Sequence, residues 1–499
     1  MDISHARSDG PRVLVGEAPM NPGTVALAVI LGIVAVGSFV GFSAGRKHRL
    51  NLEEWAVAGR GFGLVLVWLL TAGEIFTAFA VLGLSGWVYS RGAPVLYVLA
   101  YLTLGQVLCF YLLPPIWELG RRHGLQTETD FFAQRYGSRL LAVFVTLVGI
   151  VSLILYLQLQ LTGLGIIVGV ASFERIGRTP AMLVSAALVA GFVFTSGVRG
   201  VAAVSVLKDV LLVVTASVIG IGLPCIYFGG VGPMLGALAR AKPGHLIMPG
   251  ATANLGHSWY ISAVLLSMLS FAWPHMFGSI FAAKSGDTLR RNAVIMPFYV
   301  VPLMLIILAG CTAILVVPNL VDGDLALLMV VRKTFPPWFL GVIGGAGALT
   351  AMVPAAIQIL TASTLLSKNL IRPVFAPAMT DQQVAKVARI SVVAITVVAL
   401  WLATSSSKSL VALLLMAYAG IGQFFPGIVF GLYSKRVTST GVFTGLVAGI
   451  ALAAFLILTD RDPFIGLNAG FIALVVNFAV TIVISLLTPP QRSGFDGME

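Results

Sequence analysis

Apolar residues in this chain come in long runs separated by short polar stretches. About thirteen runs are long enough to cross a bilayer, at 24–44, 63–89, 93–117, 139–170, 180–196, 201–228, 259–283, 293–318, 338–366, 386–405, 408–433, 441–459 and 464–488. A spanning helix takes about 20 such residues. The pattern predicts an all-α polytopic membrane protein. Two runs carry polar groups at mid-length. LVLVWLLTAGEIFTAFAVLGLSGW has Gly73 and Glu74 at its centre, and WYISAVLLSMLSFAWPHMFGSIFAA has Trp273, Pro274 and His275. Proline removes a backbone donor and opens a helix, and backbone freed inside a bilayer must line a protein-buried or watery site.

The runs read as a single integral membrane domain over 1–499. It begins with one extra helix at 24–44, followed by five runs over 63–228, five over 259–433 and two over 441–488. The broken runs open the two fives. Five is odd, so the second set is expected to be inverted relative to the first. Paired interruptions in two such halves point to a transporter's binding site.

Composition secures the membrane class. Hydrophobic residues make up 58% and charged residues 10%, against roughly 25% charged in soluble domains. The net charge of +12 is a topology signal, not a nucleic-acid signal. Lys and Arg concentrate in alternate loops, with Arg46, Lys47, Arg49, Arg121, Arg122, Arg290, Arg291, Lys435 and Arg436 on the richer side. The positive-inside rule makes that side cytoplasmic. An odd number of spans then leaves the N-terminus outside and the C-terminus inside. Contact with anionic membrane lipid follows from the same charges. The first run lacks a basic leader and reads as a retained helix, not a signal peptide.

Cys109, Cys225 and Cys311 stand alone inside apolar runs and read as small core residues. GLSG at 83–86, GLGIIVG at 163–169 and GGAG at 344–347 read as close helix packing. Neither GGAGALT nor AAKSGDT has the spacing of a phosphate loop. No cofactor is expected, and no motif for nucleophilic or metal catalysis is present, so the protein is not read as an enzyme.

Several stretches together resemble the sodium–solute symporter family, over about Glu54 to Arg436. They are EEWAVAGRGFG at 53–63, TETDFFAQRYGSR at 127–139, GVRGVAAVSVLKDVL at 197–211, WPHMFGSIFAAKSGDTLRR at 273–291 and GQFFPGIVFGLYSKRVTSTGVFTGLVAG at 422–449. The Pro-His pair at 274–275, RRN at 290–292 and AMVPAAI at 351–357 are similar to bacterial monocarboxylate permeases. The resemblance implies the leucine-transporter-type five-plus-five fold and import of a small solute on an ion gradient. It also implies a sodium site from two carbonyls of the first broken helix and two hydroxyls of the eighth core helix. The carbonyls map to Gly73 and Phe76. The hydroxyl positions hold Val353 and Pro354, neither of which has a side-chain oxygen, while Thr350 lies one helical turn away. Lys208-Asp209 stands where Thr-Asp is usual, and is expected at the cytoplasmic end of its segment.

Glu74 is the sharpest candidate for ion coupling. Burial penalises the charged form of a carboxyl, and charged groups at mid-membrane are usually functional. Glu74 is read as taking up and releasing a proton in place of sodium. The competing readings are a cationic ligand or an unusual sodium site, against a neutral carboxyl that caps freed amides. The substrate-binding candidates are Thr77, Tyr156, Gln160, Trp273, His275 and Gln423. Gln158, Gln358 and Thr361 are weaker. His275 is weighed evenly as a donor or relay and as an imidazole satisfying unwound carbonyls. Gln160 and Gln423 are weighed between solute contact and helix–helix bonding. Arg135, Arg139, Arg290 and Arg291 read as topology anchors. The expectation is an inner-membrane bacterial symporter importing a small organic solute, with a monocarboxylate in view and H+ favoured over Na+. The rivals are a transporter-shaped solute sensor and a sodium-coupled symporter of an amino acid or other small polar solute.

Overall fold

The structure, a computed structural model, describes residues 21–45, 60–251, 253–490 and 494–495. Arg46, Lys47, Arg49 and most of the 53–63 motif lie outside the described residues. The long apolar runs form helices: α1 (Pro22–Gly45), α2 (Leu64–Ile75), α3 (Leu84–Arg91), α4 (Tyr97–His123), α5 (Glu128–Tyr136), α6 (Arg139–Ala171) and α7 (Arg178–Phe228). There follow α8 (Val231–Ala241), α9 (His257–Ser267), α10 (Pro274–Ala282), α11 (Gly286–Ile295), α12 (Val300–Val316), α13 (Ala326–Thr334) and α14 (Pro337–Thr364). The chain ends with α15 (Asp381–Ser405), α16 (Leu410–Ile421), α17 (Phe425–Tyr433), α18 (Ser439–Leu458) and α19 (Ala469–Leu487).

Among the described residues, ten helices are long and apolar enough to cross a membrane, or eleven if the bent pair α2 and α3 counts as one span. The expected thirteen runs are not all uninterrupted spans, for a physical reason. The run over 259–283 is cut into helices of 11 and 9 residues, each about half a bilayer long at 1.5 Å per residue. The stretch Arg178–Val193 is also shorter than a full span.

The first break falls about one turn later than expected. Gly73 and Glu74 sit in the last turn of α2, and the chain leaves the helix at Phe76, with φ −78° and ψ 101°. It resumes through a π-helical turn, Phe79–Gly83, into α3. The two halves are bent by 59°. Gly73 serves packing: a Cβ there would lie 2.7 Å from Ser205 Oγ. The second break falls where proline dictates. After a short 3-10 turn, Ser270–Ala272, Trp273 is extended (φ −67°, ψ 134°) and Pro274 opens α10. That is the helix position where a missing N–H costs nothing.

The most deeply buried span is α14, which packs against α1, α6 and α7. A Cβ on Gly341 would fall 2.7 Å from Ala26 O, and one on Gly345 would fall 2.6 Å from Ile33 Cδ1. The glycines of this run are therefore helix-packing positions. Cys109 and Cys311 are buried, whereas Cys225 is exposed on the outer surface of α7.

On the face that carries Arg121, Arg122, Arg290 and Arg291, here called the basic face, α5 is tied to two segments distant in sequence, 365–371 and 431–434. Thr127 and Asp130 form a reciprocal cap at its start, a capping box. Asp130 also accepts from Lys368 Nζ at 2.7 Å and Asn369 Nδ2 at 2.9 Å, on the π-helical turn Leu365–Ile371 that extends α14. Buried Arg135 donates to Gly431 O and Ser434 O at 2.7 Å each, anchoring the end of α17.

Candidate functional site

The two breaks meet. Ser279 Oγ, on α10, donates to Glu74 Oε1 at 2.5 Å. Glu74 is 2% exposed, and its Oε2 has no partner. Two clefts flank the carboxyl. One opens toward the basic face, holds about 30 Å³, and is lined by Glu74, His275, Ser279, Thr361, Gln126 and Thr127 among others. The other holds about 20 Å³ and is lined by Glu74, Phe79, Tyr101, Tyr156, Trp273, His275 and Tyr418. Each has room for only a water or two, so the site is closed around itself in this conformation.

The wall of the inner cleft is aromatic. Tyr156 and Trp273 have ring centroids 4.7 Å apart, with His275 at 5.9 Å from Tyr156 and Tyr418 at 5.6 Å from Trp273. Beyond Tyr101, a cluster of Trp87, Tyr97 and Trp259, with centroids 5.3–5.5 Å apart, separates the site from a vestibule on the opposite face. That vestibule holds about 270 Å³ and is lined by Arg91, Lys408, Asp460 and Asp462 among others.

The freed backbone finds specific partners. Gln160 Oε1 accepts from Ala78 N at 3.0 Å, capping the first amide after the break. On the other side of the break, Lys208 Nζ donates to Gly73 O at 3.2 Å and Phe76 O at 3.3 Å. It also pairs with Asp209 Oδ1 at 3.0 Å, and the lysine side chain is fully buried. These carbonyls are the pair to which the sequence resemblance assigns the sodium ion, and the lysine ammonium is bonded to both. Lys208 is not at a helix end: it lies about 12 Å, or two turns, along the apolar stretch that starts at Gly200. Its expected place at the cytoplasmic end is thus corrected. The available signal was a lysine and an aspartate inside an apolar run.

The other predicted residues divide. Trp273, His275 and Tyr156 line the inner cleft, and Thr361 lines the outer one. Thr77 is fully buried at the break. His275 Nδ1 and Gln160 Nε2 are buried without partners. Buried polar atoms in that state are unusual in a folded protein, and His275 lines both clefts, while Gln160 sits at the first break beside Ala78. Gln358 is fully buried with neither amide atom bonded, a stronger feature than its sequence position suggested. Of the two readings of Gln423, its contacts match helix–helix bonding. Its Nε2 donates to Ala419 O and Gly470 O, and Asn477 Nδ2 donates to its carbonyl and its Oε1. Both ends are used in packing α16 and α17 against α19. Gln158 likewise donates to Leu402 O at 3.3 Å. Thr350 Oγ1 donates to Ala346 O in its own helix at 2.7 Å, and Val353 and Pro354 are buried in α14 with no side-chain oxygen to offer. No cluster of three His, Cys, Asp or Glu residues suited to a metal ion occurs among the described residues.

Comparison with known proteins agrees with this architecture. The sodium:solute symporter family profile matches residues 55–449. The chain is 40% identical to the uncharacterized symporter YhjB of Bacillus subtilis (strain 168), over 94% of this chain and 98% of that protein. It is 29% identical to a monocarboxylate transport permease protein of Rhizobium johnstonii, over 93% and 97%. Among solved structures, a Na+-coupled sialic acid symporter in a substrate-bound outward-open state superposes with a TM-score of 0.78, covering 94% of this chain and 99% of that one at 16% identity. Mhp1, a nucleobase-cation-symport-1 family transporter in a closed conformation, gives 0.59 over 88% and 97% at 13% identity. The family profile spans most of the chain and a symporter 40% identical matches it nearly end to end, so this multi-pass membrane protein belongs to the sodium:solute symporter family.

Proposed function

We propose that the protein is a proton-coupled symporter of a small organic solute, of the monocarboxylate class, in which Lys208 takes the place of a coupling cation. The observation that carries this reading is the Lys208 ammonium bonded to Gly73 O and Phe76 O. A hard cation needs several oxygens at short range. Here two of its expected oxygens already accept from an ammonium, and Val353 and Pro354 supply none. The family as a whole runs on sodium, so this chain is read as a departure within it.

Glu74 supplies the coupling. An ionised Glu74 beside the inner cleft repels a carboxylate solute, while a protonated one does not. Solute and proton therefore bind together, and each favours the other by the reciprocity of linked equilibria. His275 Nδ1, Gln160 Nε2 and the tyrosine hydroxyls of the cleft are suited to receive a carboxylate without adding a competing charge. The monocarboxylate class is supported by the Rhizobium relative and by this neutral, donor-lined cleft. The basic face is read as cytoplasmic, with an inner-membrane location and the vestibule facing outward. The cleft toward Gln126 and Thr127 is then the exit route. Opening requires the halves of the two broken helices to part.

The test is uptake of labelled pyruvate, lactate and acetate into proteoliposomes with proton and sodium gradients imposed separately. Proton-driven uptake that is lost in Glu74→Gln is the expected result. Uptake driven by sodium alone overturns the coupling and restores the family's usual ion.

A further inference from the structure

A second buried carboxyl follows directly in sequence on Gln126 and Thr127, which line the outer cleft. Glu128 is the first residue of α5 and is 1% exposed, and neither Oε1 nor Oε2 has a hydrogen-bond partner. It does not cap its own helix, because Asp130 accepts from Gln126 N and Thr127 N. The nearby cations have other partners, beginning with Arg60, which donates to Leu125 O at 2.7 Å and lies over the Phe281 ring of α10. The elements packed on α5 are α6, α10, α17 and the π-helical turn 365–371. Lys368 on that turn is bonded to Asp130 and Gln126. Arg135 of α5 itself is bonded to carbonyls of the 431–434 segment. Arg139, at the start of α6, donates to Pro373 O. His275 of α10 faces the clefts, and Tyr433 ends α17 in an exposed position.

An isolated carboxylate in such a place is strongly disfavoured, and the group takes a proton instead. Burial pushes the Glu128 carboxyl well above the usual carboxylate range, while the Lys368 ammonium holds Asp130, despite its own burial, below that range. Two carboxyls in one helical turn thus have opposite protonation tendencies, the pattern that separates a proton carrier from a structural anion. An apolar side chain would fill the Glu128 slot without the desolvation cost. Its position explains the alternative. Gln126 and Thr127, the two residues before it, line the same cleft as Glu74.

We propose that Glu128 is a second proton-binding site, which takes the proton released by Glu74 and passes it to water at the basic face. The inference rests on the proton-coupled reading above. In the transfer, Glu128 first gives its resting proton to basic-face water. The O–H bond of Glu74 then breaks as a cleft water accepts its proton, and a proton from that water chain re-forms the O–H bond on Glu128. Glu74 is left as the anion near Lys208, and Glu128 is again protonated for the next cycle. No electron moves and no other co-reactant is needed.

Two measurements on the full-length protein test this. The first needs no solute: infrared titration of the protonated-carboxyl band at neutral pH, comparing wild type, Glu74→Gln, Glu128→Gln and Glu128→Leu. A component lost in both Glu128 variants and kept in Glu74→Gln is expected. Unchanged spectra in both Glu128 variants overturn the proposal. The second is transport of whichever of pyruvate, lactate or acetate the wild type accumulates. Proton-driven uptake in Glu128→Gln should fall at least tenfold, while solute counterflow stays within about twofold of wild type. Wild-type-like accumulation in Glu128→Gln refutes the relay. Loss of counterflow in both Glu128 variants assigns the residue to folding and also refutes it. A wild type driven by sodium alone defeats the coupling reading itself, and the infrared result still decides whether Glu128 holds a proton.

Discussion

Replacing Lys208 with methionine removes the ammonium and keeps most of the side-chain volume. The wild-type ammonium makes two bonds to carbonyls at 3.2 and 3.3 Å. Bonds from a charged donor contribute about 1.5–3 kcal/mol each. The change also strands Asp209, whose side chain is 5% exposed, and breaking a buried pair costs about 3–5 kcal/mol. Both losses come from one side chain and do not add in full, so a total of about 3–5 kcal/mol is expected. The assay is thermal unfolding of the full-length protein in detergent, where Lys208→Met should melt lower by about 3–5 °C, since a chain of 499 residues unfolds with an entropy of about 1 kcal/mol/K. The double variant Lys208→Met with Asp209→Asn separates the terms: recovery of part of the loss assigns that part to the stranded aspartate. Sodium should raise the melting point of neither wild type nor variant, because emptying the carbonyl pair does not give Val353 or Pro354 an oxygen. A Lys208→Met protein with unchanged melting and transport, or a wild type stabilised by millimolar sodium, refutes the reasoning.

Four further outcomes follow from the same contacts. Glu74→Gln should abolish proton-driven accumulation while leaving solute counterflow measurable, since a permanently neutral side chain admits the anion but carries no proton. Gln160→Met leaves Ala78 N unpaired and should destabilise by about 1–3 kcal/mol, read as a lower melting temperature. Gln423→Leu should lower stability by a similar amount with KM for the solute unchanged, because its amide bonds only helices. Asp324 gives a pH dependence at the vestibule face. It is buried against Gly86 and accepts from Leu410 N at 3.0 Å, and burial pushes its carboxyl up to about 6. An exposed aspartate sits near 3.9, so the closed form binds the extra proton between about pH 4 and 6. Acidification through that window therefore tightens closure, and a rise above pH 6 removes the gain. Thiol labelling of Val411→Cys, in a background lacking the native cysteines and with each rate divided by that of a small-molecule thiol at the same pH, should slow as pH falls from 7 to 5, and Asp324→Asn should flatten that ratio.

The membrane class and both helix breaks were legible in the sequence because each has a local cause. Pro274 cannot continue a helix, and Glu74 needs a partner at its depth. The location of the first break was less legible. Gly73 suggests a break by its identity, yet it stays helical because Ser205 and Lys208 press against it. The partner of the freed carbonyls was not legible at all. A lysine in a distant apolar run has no periodicity that says where its ammonium will reach, and only packing α7 against α2 brings them together. Gln160 and Gln423 show the same ambiguity from the other side. Both are buried amides in apolar helices, but one caps a broken helix and the other bonds an intact one, and that difference depends on which helices become neighbours.

The ammonium in the Gly73–Phe76 cradle also bears on the energy source. A free cation that crosses with its solute carries charge through the membrane voltage, worth about 2.3 kcal/mol per charge for each 100 mV. Lys208 is covalently part of the protein and never completes that crossing. In the proposed coupling, taken as one proton with one carboxylate, the cargo is electrically neutral, so voltage drops out of the driving force. Accumulation then depends on the pH difference alone, about tenfold for each pH unit. Collapsing the voltage with a potassium ionophore should leave the steady-state ratio where it was, whereas collapsing the pH difference should reduce it to one.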